Sequence, residues 1–456
     1  MREIRIRAAG PPQGANCSPP GGSESQRDER GGRPLRRAIA WLLFLGPFFF
    51  LSYGFANWLA AQRTGVPAMA FAWERAIPFW AWTIVPYWSI DALYALSLFV
   101  CATRAELDTH ARRLLSAQLV AIACFIAIPF RFSFDRPTAD GISGALFDLL
   151  AGFDLPYNQV PSLHIALAVI LWVLYASHLR GLARILLTLW FVMIGASVLT
   201  TYQHHFIDLP TGFALGWLCV WLWPMPATAA GAVSGWRYTA DPARHRLALA
   251  YLAGALCCAA IAFYAGGWAL WLGWPALSLA LVSVFYAGVG SAGFQKDSDG
   301  RLSTASRWLL APYLAGAWVN SRWWTRRAPQ PVHVADGVWL GRMPYARELA
   351  PFGGIVDVSA ELSLPPAPLA RRVVPMLDLV TPEPSSLSLA AREIEALRAR
   401  GPVLVCCALG YSRSACAVAA WLVSTGRASD ADEAFARLRS VRAGIVLHDG
   451  HAKLLQ

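Results

Sequence analysis

Two patterns of apolar and polar positions divide the chain. Between residues 38 and 289, apolar runs of about 20 residues alternate with short polar or arginine-bearing segments, and runs of that length are typical of helices that cross a membrane. From residue 332 onward the apolar runs are short and alternate with amphipathic stretches. That second pattern predicts an α/β domain with a mainly parallel sheet. The expected fold is an α-helical membrane bundle followed by this small domain.

About eight segments are predicted to span the membrane, although the fourth and sixth are short for a crossing helix. They are 38–59, 79–100, 114–130, 163–177, 182–199, 209–223, 247–265 and 268–289. The composition agrees, because 56% of the residues are hydrophobic and only 15% are charged, unlike an average soluble protein.

The positive charge indicates an orientation. The net charge is +11, and its arginines follow every second predicted helix, which places those helix ends and both termini in the cytoplasm. We therefore expect a multi-pass protein of a bacterial inner or plasma membrane, in contact with the lipid bilayer. A charge excess of this topological kind predicts no nucleic-acid partner.

Changes in composition along the chain predict five segments. They are a disordered N-terminus (1–34), a membrane domain (35–225), two further transmembrane helices (226–300), an interfacial helix with a linker (301–331) and the α/β domain (332–456).

A strand, a tight loop and a helix follow one another around Cys407. Residues 402–406 predict a buried strand and residues 414–423 a helix, with Arg413 and Ser414 at the start of that helix. Backbone N–H groups at such a turn bind an anion, and the helix dipole and Arg413 both favour a thiolate, the nucleophilic form of cysteine. Arg413 can bind two phosphate oxygens, and Ser414 can donate to the sulfur as it leaves. The loop residues expected around the phosphate are Ala408, Leu409, Gly410, Tyr411 and Ser412.

This stretch resembles the signature of cysteine-based protein phosphatases, and of the dual-specificity kind in particular. The family pattern is His-Cys-x5-Arg-Ser/Thr; Cys407, Gly410, Arg413 and Ser414 match it, and Cys406 stands at the histidine position. The resemblance covers about 332–456. It implies hydrolysis of phosphotyrosine, phosphoserine, phosphothreonine or a related phosphomonoester through a phosphocysteine, with no metal and no cofactor.

Cleavage of a phosphate monoester also needs an acid to protonate the leaving oxygen. Asp378 follows the predicted strand 373–377 and lies 29 residues before Cys407, a position similar to the acid loop of that family. Asp357, at the end of an adjacent predicted strand, is the main alternative, and Glu383 is a second one.

Two polar motifs open the fourth and sixth predicted spans, on the non-cytoplasmic side in this topology. They are Tyr157-Asn-Gln-Val-Pro-Ser-Leu-His164 and Gln203-His-His-Phe-Ile-Asp-Leu-Pro-Thr-Gly212. Polar residues at such positions usually carry function. His204 and Asp208 are four residues apart and share a helix face, so the carboxylate can fix the imidazole tautomer and stabilise its cation.

These motifs resemble the type 2 phosphatidic acid phosphatase superfamily, especially the branch with inositolphosphoryl-ceramide and sphingomyelin synthases. Pro161-Ser-Leu-His164 is similar to its second motif, His204-x3-Asp208 to its third, and Arg136-Pro137 to the end of its first. The resemblance implies that His204 attacks phosphorus and forms a phosphohistidine. Asp208 would orient His204, His164 would protonate the leaving group and Arg136 would bind the phosphate.

Some positions differ from that family. Val198 stands where the third motif has arginine, and the lysine expected before Arg136 is missing, with Arg131 the nearest base. His205 is the rival nucleophile, but it lies three residues from Asp208 and fits the spacing less well.

The sequence as a whole predicts a bifunctional membrane phosphatase. One site would act on a membrane lipid phosphate, and the other on a phosphoprotein or phosphorylated headgroup in the cytoplasm. Two alternatives stay open: a lipid phosphotransferase of the inositolphosphoryl-ceramide or sphingomyelin synthase kind, and a non-catalytic membrane sensor of phosphoproteins.

Overall fold

The computed structural model describes residues 33–225 and 239–447. The segment expected to be disordered, 1–34, therefore lies almost entirely outside the described residues. The first nine helices are α1 (Leu35–Ala61), α2 (Ile84–Val100), α3 (Arg104–Ala127), α4 (Gly141–Ala151), α5 (Leu163–His178), α6 (Gly181–Thr200), α7 (Asp208–Leu222), α8 (Pro242–Ala265) and α9 (Gly273–Val284).

Helices occupy all eight predicted spans, but only six of them are long and apolar enough to cross a membrane within the described ranges. Those six are Leu35–Ala61, Ala81–Val100, Arg104–Ala127, Gly181–Thr200, Pro242–Ala265 and Gly267–Phe294. The second range adds a short 3₁₀ turn to α2, and the last adds 3₁₀ turns to both ends of α9 and a π turn to its C-terminal end. The other two, α5 and α7, have 16 and 15 residues. Both are buried along much of their length, so they form the centre of the helical region.

The segment expected to hold one interfacial helix forms two, α10 (Thr304–Leu309) and α11 (Ala311–Trp324). Pro312 lies in the first turn of α11, where its missing N–H costs nothing. The indole of Trp274 donates to the carbonyl oxygen of Trp308 at 2.9 Å, and the rings of Trp308 and Phe213 meet edge-on at 5.3 Å. The helix pair α10–α11, joined at Leu310, therefore packs against α7 and α9 through Trp308.

The C-terminal domain is built on one five-stranded sheet, in the order β1-β2-β5-β3-β4. The strands are β1 (Val332–Ala335), β2 (Val338–Arg342), β3 (Gly354–Ser359), β4 (Ala370–Met376) and β5 (Val403–Cys407), and the helices are α12 (Pro384–Arg398), α13 (Arg413–Ser424) and α14 (Ala431–Val441). Only β1 and β2 pair antiparallel, which confirms the expected mainly parallel sheet. The sequence predicted one strand over 332–340, but Asp336 and Gly337 have φ of 42° and 79° and form a hairpin turn that divides it.

Polar contacts join the helical region to the C-terminal domain. The ammonium of Lys296, which follows the last apolar helix, bonds to the carboxylate of Asp357 and to the carbonyl oxygen of Ser359, and both charged side chains are fully buried. The Tyr286 hydroxyl donates to the carbonyl oxygen of Asp378 at 3.0 Å. The two parts of the chain are thus packed against each other and not merely tethered.

Helix α7 sets the distance between the two polar motifs and this domain. It begins at Asp208. Near its other end, the Trp221 indole donates to the carbonyl oxygen of Gly293, and the Gln295 side chain donates to that of Trp221. Since Gln295 precedes Lys296, and a helix rises about 1.5 Å per residue, Asp208 lies about 20 Å from the domain contact. The His204 motif and the C-terminal domain are therefore at opposite ends of the helical region.

Candidate active sites

Cys407 ends the central strand β5, which pairs with β2 and β3. Its Sγ accepts hydrogen bonds from the Gly410 N–H and from the Ser414 hydroxyl, each at 3.2 Å. Helix α13 begins at Arg413, so its positive N-terminal end lies beside the loop that follows the sulfur. Two donors and the N-terminus of a helix thus lie next to one sulfur.

Gly410 allows this loop to lie directly on the sheet. Its φ is 76°, and a Cβ there would come within 2.5 Å of the Gly341 carbonyl carbon in β2. No side chain fits at that distance, so only glycine lets the loop turn this tightly around Cys407.

Cys406 faces the opposite side of the sheet from Cys407, because successive residues of a strand alternate between faces. It is fully buried in an apolar cluster with Leu404 and Ile355. This burial raises the pKa of the Cys406 thiol well above its usual value. Cys406 is thus a neutral packing residue, and it is Cys407 that faces the loop.

The guanidinium of Arg413 is held from one side by Glu361. Its two terminal nitrogens donate to the two carboxylate oxygens at 2.7 and 2.6 Å, and one also donates to the carbonyl oxygen of Met376 at 3.0 Å. Burial alone would raise the pKa of Glu361, but Arg413 outweighs it and the pKa lies below its ordinary value. The buried Nε of Arg413 has no hydrogen-bond partner within the described part of the chain.

Asp378 lies beside the same guanidinium, with its Oδ1 3.1 Å from a terminal nitrogen of Arg413. Burial raises the pKa of Asp378 and Glu361 adds to the effect, which exceeds the opposing attraction of Arg413. Of the two alternatives, Asp357 is fully buried and bound to Lys296. Glu383 is exposed and precedes α12.

Glu361 and Lys296 were not among the residues predicted for this site. Glu361 lies just beyond the end of β3, at the sheet edge where the carboxyl ends of parallel strands meet. This position just after a strand is the sequence feature that could have indicated Glu361. Lys296 approaches from 61 residues earlier in the chain, and no local pattern indicates it.

Comparison with known proteins agrees with this geometry. Residues 368–456 match the family described as "Dual specificity phosphatase, catalytic domain". The C-terminal domain is a dual-specificity cysteine phosphatase. No curated protein matches the chain.

Solved structures similar to this phosphatase domain include three proteins. PTPMT1 has 20% sequence identity, covering 27% of this chain and 90% of its own, with a TM-score of 0.25. Tk-PTP in its active form has 26% identity, with coverages of 28% and 95% and a TM-score of 0.26. Human DUSP28 has 29% identity, with coverages of 28% and 91% and a TM-score of 0.25.

A second cluster of polar side chains lies at the start of α7. The His204 Nδ1 and the Asp208 Oδ2 are 3.0 Å apart, and the His204 Nε2 is 3.2 Å from the Ser162 hydroxyl oxygen. All three side chains are buried. Their line from carboxylate through imidazole to hydroxyl fixes the orientation of the His204 ring.

Two glycines bring α5 and α7 close enough for this contact. A Cβ on Gly212 would lie 2.4 Å from the Ser162 carbonyl oxygen, and one on Gly216 would lie 2.7 Å from a Val169 side-chain atom. Small residues at such positions allow the backbones of two helices to approach closely. The Ser162 and His204 motifs therefore meet because of glycines one helical turn apart.

The other two residues predicted for this site, His164 and Arg136, each contact an aromatic ring. The His164 ring stacks on Tyr87 at 4.3 Å, and its buried Nε2 has no partner among the residues described. The Arg136 guanidinium lies over the Phe147 ring at 4.6 Å. No hydrogen bond joins Arg136 to His164 or His204 in the described structure.

His205 belongs to a different set of contacts. Its Nδ1 lies 2.9 Å from a carboxylate oxygen of Glu74, and the Ser133 N–H donates to its Nε2 at 3.1 Å. Both ring nitrogens are thus occupied. The same Glu74 oxygen accepts a hydrogen bond from the Phe206 N–H, so this carboxylate anchors the loop before α7. The sequence analysis did not predict a role for Glu74.

Proposed function

We propose that the phosphatase domain hydrolyses phosphate monoesters on the cytoplasmic side of a membrane. Cys407 is the nucleophile, Arg413 with the backbone of residues 408–412 binds the phosphate, Asp378 is the general acid and Ser414 assists the leaving sulfur. The main support is the arrangement around one sulfur. The Cys407 Sγ accepts two hydrogen bonds at 3.2 Å, one of them from Ser414. Arg413, which directly precedes Ser414, has a buried Nε that is unpaired in the described structure.

The reaction takes two steps. The Cys407 thiolate attacks phosphorus, the bond from phosphorus to the ester oxygen breaks, and Asp378 gives its proton to that oxygen. Water then attacks the phosphocysteine, Asp378 takes a proton from it, and the sulfur–phosphorus bond breaks while Ser414 donates a hydrogen bond to the sulfur. The raised pKa of Asp378 supports the acid role, because a catalytic acid must be protonated near the working pH.

Turnover of para-nitrophenyl phosphate by the full-length chain tests this function, with His204→Ala present in every protein compared so that the second polar cluster does not contribute. Cys407→Ser is expected to abolish it, since a serine hydroxyl is a poor nucleophile at neutral pH. Cys406→Ala, the neighbouring position on the other face of the sheet, is the matched control and should keep most activity. Turnover that persists in Cys407→Ser would remove Cys407 from the mechanism. The absence of any turnover in the unaltered chain would favour a phosphoprotein sensor.

A second function is supported by the cluster at α7, which resembles the type 2 phosphatidic acid phosphatase site. In this proposal His204 attacks the phosphorus of a lipid phosphate and forms a phosphohistidine, Asp208 orients the ring, His164 protonates the leaving group and Arg136 binds the phosphate. The line from Asp208 through His204 to Ser162, with distances of 3.0 and 3.2 Å, is the observation that favours it.

An apolar groove beside this cluster suits the chains of a lipid. It has a volume of about 480 Å³ and begins at Pro161 and Ile207, which adjoin the two motifs. It continues along α7 past Phe213 and Trp217 to Leu309, the last residue of α10. An aliphatic chain in this groove would leave its phosphate near His204.

Release of phosphate from a lipid phosphate distinguishes the outcomes for this site. His204→Ala is expected to remove the part of that turnover that does not depend on Cys407. His205→Gln is the matched control, because His205 is bonded to Glu74 and lies outside the proposed site. Equal losses in both variants would indicate a structural role. A phosphorylated lipid product in place of free phosphate would identify a phosphotransferase.

A further inference from the structure

One cavity joins the phosphatase site to the helical region. Its volume is about 360 Å³, within the range of small-molecule sites. The phosphatase domain contributes Glu361 and Asp378, which contact Arg413, and Ala408, which follows Cys407. The opposite wall is formed by Tyr251 of α8, Leu279 of α9 and a face of α11. This cavity, which we name the slot, therefore begins at the catalytic loop and ends among apolar helices.

The slot extends along α11. Its lining runs from Asn320, near the phosphatase end of that helix, to Pro312 at its beginning, where Pro275 of α9 also contributes. Eight residues of α helix are about 12 Å long. The slot is consequently deep enough for a short aliphatic segment beyond Glu361 and Asp378, the lining residues that contact Arg413.

The polarity of the lining changes along this length. Carboxylates and the Asn320 side chain lie at the phosphatase end, and Leu279, Pro275 and Pro312 lie at the far end. Leu379 enters the slot directly after Asp378 with a left-handed φ of 58° and a side chain that is 70% exposed. An exposed leucine beside the acid residue gives even the polar end an apolar wall.

Two exposed tryptophans at the phosphatase end of α11 suit the boundary between lipid headgroups and hydrocarbon. Trp323 and Trp324 are 60% and 64% exposed at the phosphatase end of the helix. Tryptophan is enriched at the boundary between headgroups and hydrocarbon. Pro312 lies about 16 Å further along the helix, about half the thickness of a hydrocarbon core. With Trp323 and Trp324 at that boundary, the apolar end of the slot would lie at the depth of acyl chains.

We infer that the substrate of the Cys407 site is a membrane lipid with a terminal phosphate monoester, bound with its phosphate at Cys407 and an acyl chain in the slot. This rests on the proposed phosphatase function and adds the substrate class. A phosphopeptide fits less well, because its backbone N–H and C=O groups would be unpaired against Leu279 and the prolines. An aliphatic chain has no such groups.

Gly316 provides a selective test. It lies on the slot face of α11, and a Cβ built on it meets no atom within 4 Å. Gly316→Leu therefore adds a side chain at the slot whose Cβ meets no neighbour, and it favours the helix by removing a glycine. The adjacent Ala315 is exposed but is not part of the slot lining, so Ala315→Leu is the matched control on the same helix.

The assay uses full-length protein in detergent micelles, with dioctanoyl phosphatidate, glycerol 3-phosphate, a tyrosine phosphopeptide and para-nitrophenyl phosphate. Only the turnover lost in Cys407→Ser is counted, which excludes the His204 site. We expect kcat/KM for the dioctanoyl lipid to exceed that for glycerol 3-phosphate and for the peptide by at least tenfold. Gly316→Leu should lower the ratio of lipid to para-nitrophenyl phosphate kcat/KM by about tenfold, and Ala315→Leu should leave that ratio unchanged.

The outcomes separate the two proposals. If the unaltered protein shows no Cys407-dependent turnover on any substrate, the phosphatase function itself is contradicted. Normal turnover of para-nitrophenyl phosphate with a preference for the phosphopeptide would overturn the lipid inference alone. So would an unchanged lipid ratio in Gly316→Leu, or equal turnover of glycerol 3-phosphate and the dioctanoyl lipid.

Discussion

The two terminal nitrogens of Arg413 bind the two carboxylate oxygens of Glu361, at 2.7 and 2.6 Å, in a fully buried ion pair. The pair fixes the plane of the guanidinium, so its remaining nitrogen, Nε, points in one direction. Glu361 is thus a positioning residue for the proposed phosphate-binding arginine.

The first prediction concerns Glu361→Gln, which keeps the size of the side chain and removes its charge. We expect the affinity for inorganic phosphate, measured as a competitive inhibition constant, to fall about tenfold, the order of one lost hydrogen bond to a charged group. KM for para-nitrophenyl phosphate should rise more than kcat falls. Glu393→Gln is the control, because Glu393 forms an exposed pair with Arg372 that is worth less than about 1 kcal/mol. Equal effects at Glu361 and Glu393 would contradict the positioning role.

The second prediction concerns pH and Asp378. Because its pKa is raised, Asp378 stays protonated to higher pH than an ordinary aspartate, and activity on alkyl phosphates should fall as the pH rises through that pKa. Asp378→Asn should remove this descending limb and lower kcat for alkyl phosphates by about 100-fold, with a smaller loss for aryl phosphates, whose leaving groups need less protonation. Equal losses on both substrate classes would indicate a structural role for Asp378.

The third prediction concerns the ion pair of Lys296 and Asp357. Lys296→Met leaves the Asp357 carboxylate buried without its cation, which typically costs about 3–5 kcal/mol. We expect thermal inactivation of the phosphatase activity at a lower temperature. Lys296→Met combined with Asp357→Asn should recover part of the loss, since no charge is then buried. Arg372→Met, in the exposed pair with Glu393, should change little. No recovery in the double variant would mean that Lys296 acts through another contact.

The fourth prediction concerns orientation, which the arginine distribution indicates. Ile142, near the His204 end of the helical region, is 81% exposed, and Leu389 of α12 is 38% exposed. In a variant without other reactive cysteines, Ile142→Cys should react with an impermeant thiol reagent on intact cells, and Leu389→Cys only after permeabilisation. Labelling of Leu389→Cys in intact cells would reverse the proposed orientation.

Local spacing was enough to predict which residues lie together within each candidate site. The loop from Cys407 to Arg413 joins a strand to a helix, and His204 and Asp208 are one helical turn apart, so neighbours in sequence are neighbours in space. The contacts that the sequence did not indicate are between distant segments. Glu361 reaches Arg413 from 52 residues away, and Glu74 reaches His205 from 131 residues away.

The helices of the N-terminal region were also predictable from local sequence. The packing of α10 and α11 against other helices was not. Apolar runs of spanning length predict helices directly. The helix pair α10–α11 mixes tryptophans with Arg307 and Arg322, a composition that suits a membrane surface. Its packing against the other helices involves Trp274 and Phe213, so composition alone could not reveal it.

The buried Lys296 also has a consequence for proteolysis of this protein. The segment Arg326–Arg327 is exposed and basic, as sites of protease cleavage often are. Cleavage there would release the phosphatase domain without Lys296, and Asp357 would lose its counter-charge. We expect the shed fragment to be short-lived and inactive, as measured by phosphatase activity in the soluble fraction after limited trypsin treatment. The phosphatase activity would then be confined to the uncleaved, membrane-bound molecule, because cleavage would inactivate the phosphatase domain and would not yield an active soluble enzyme.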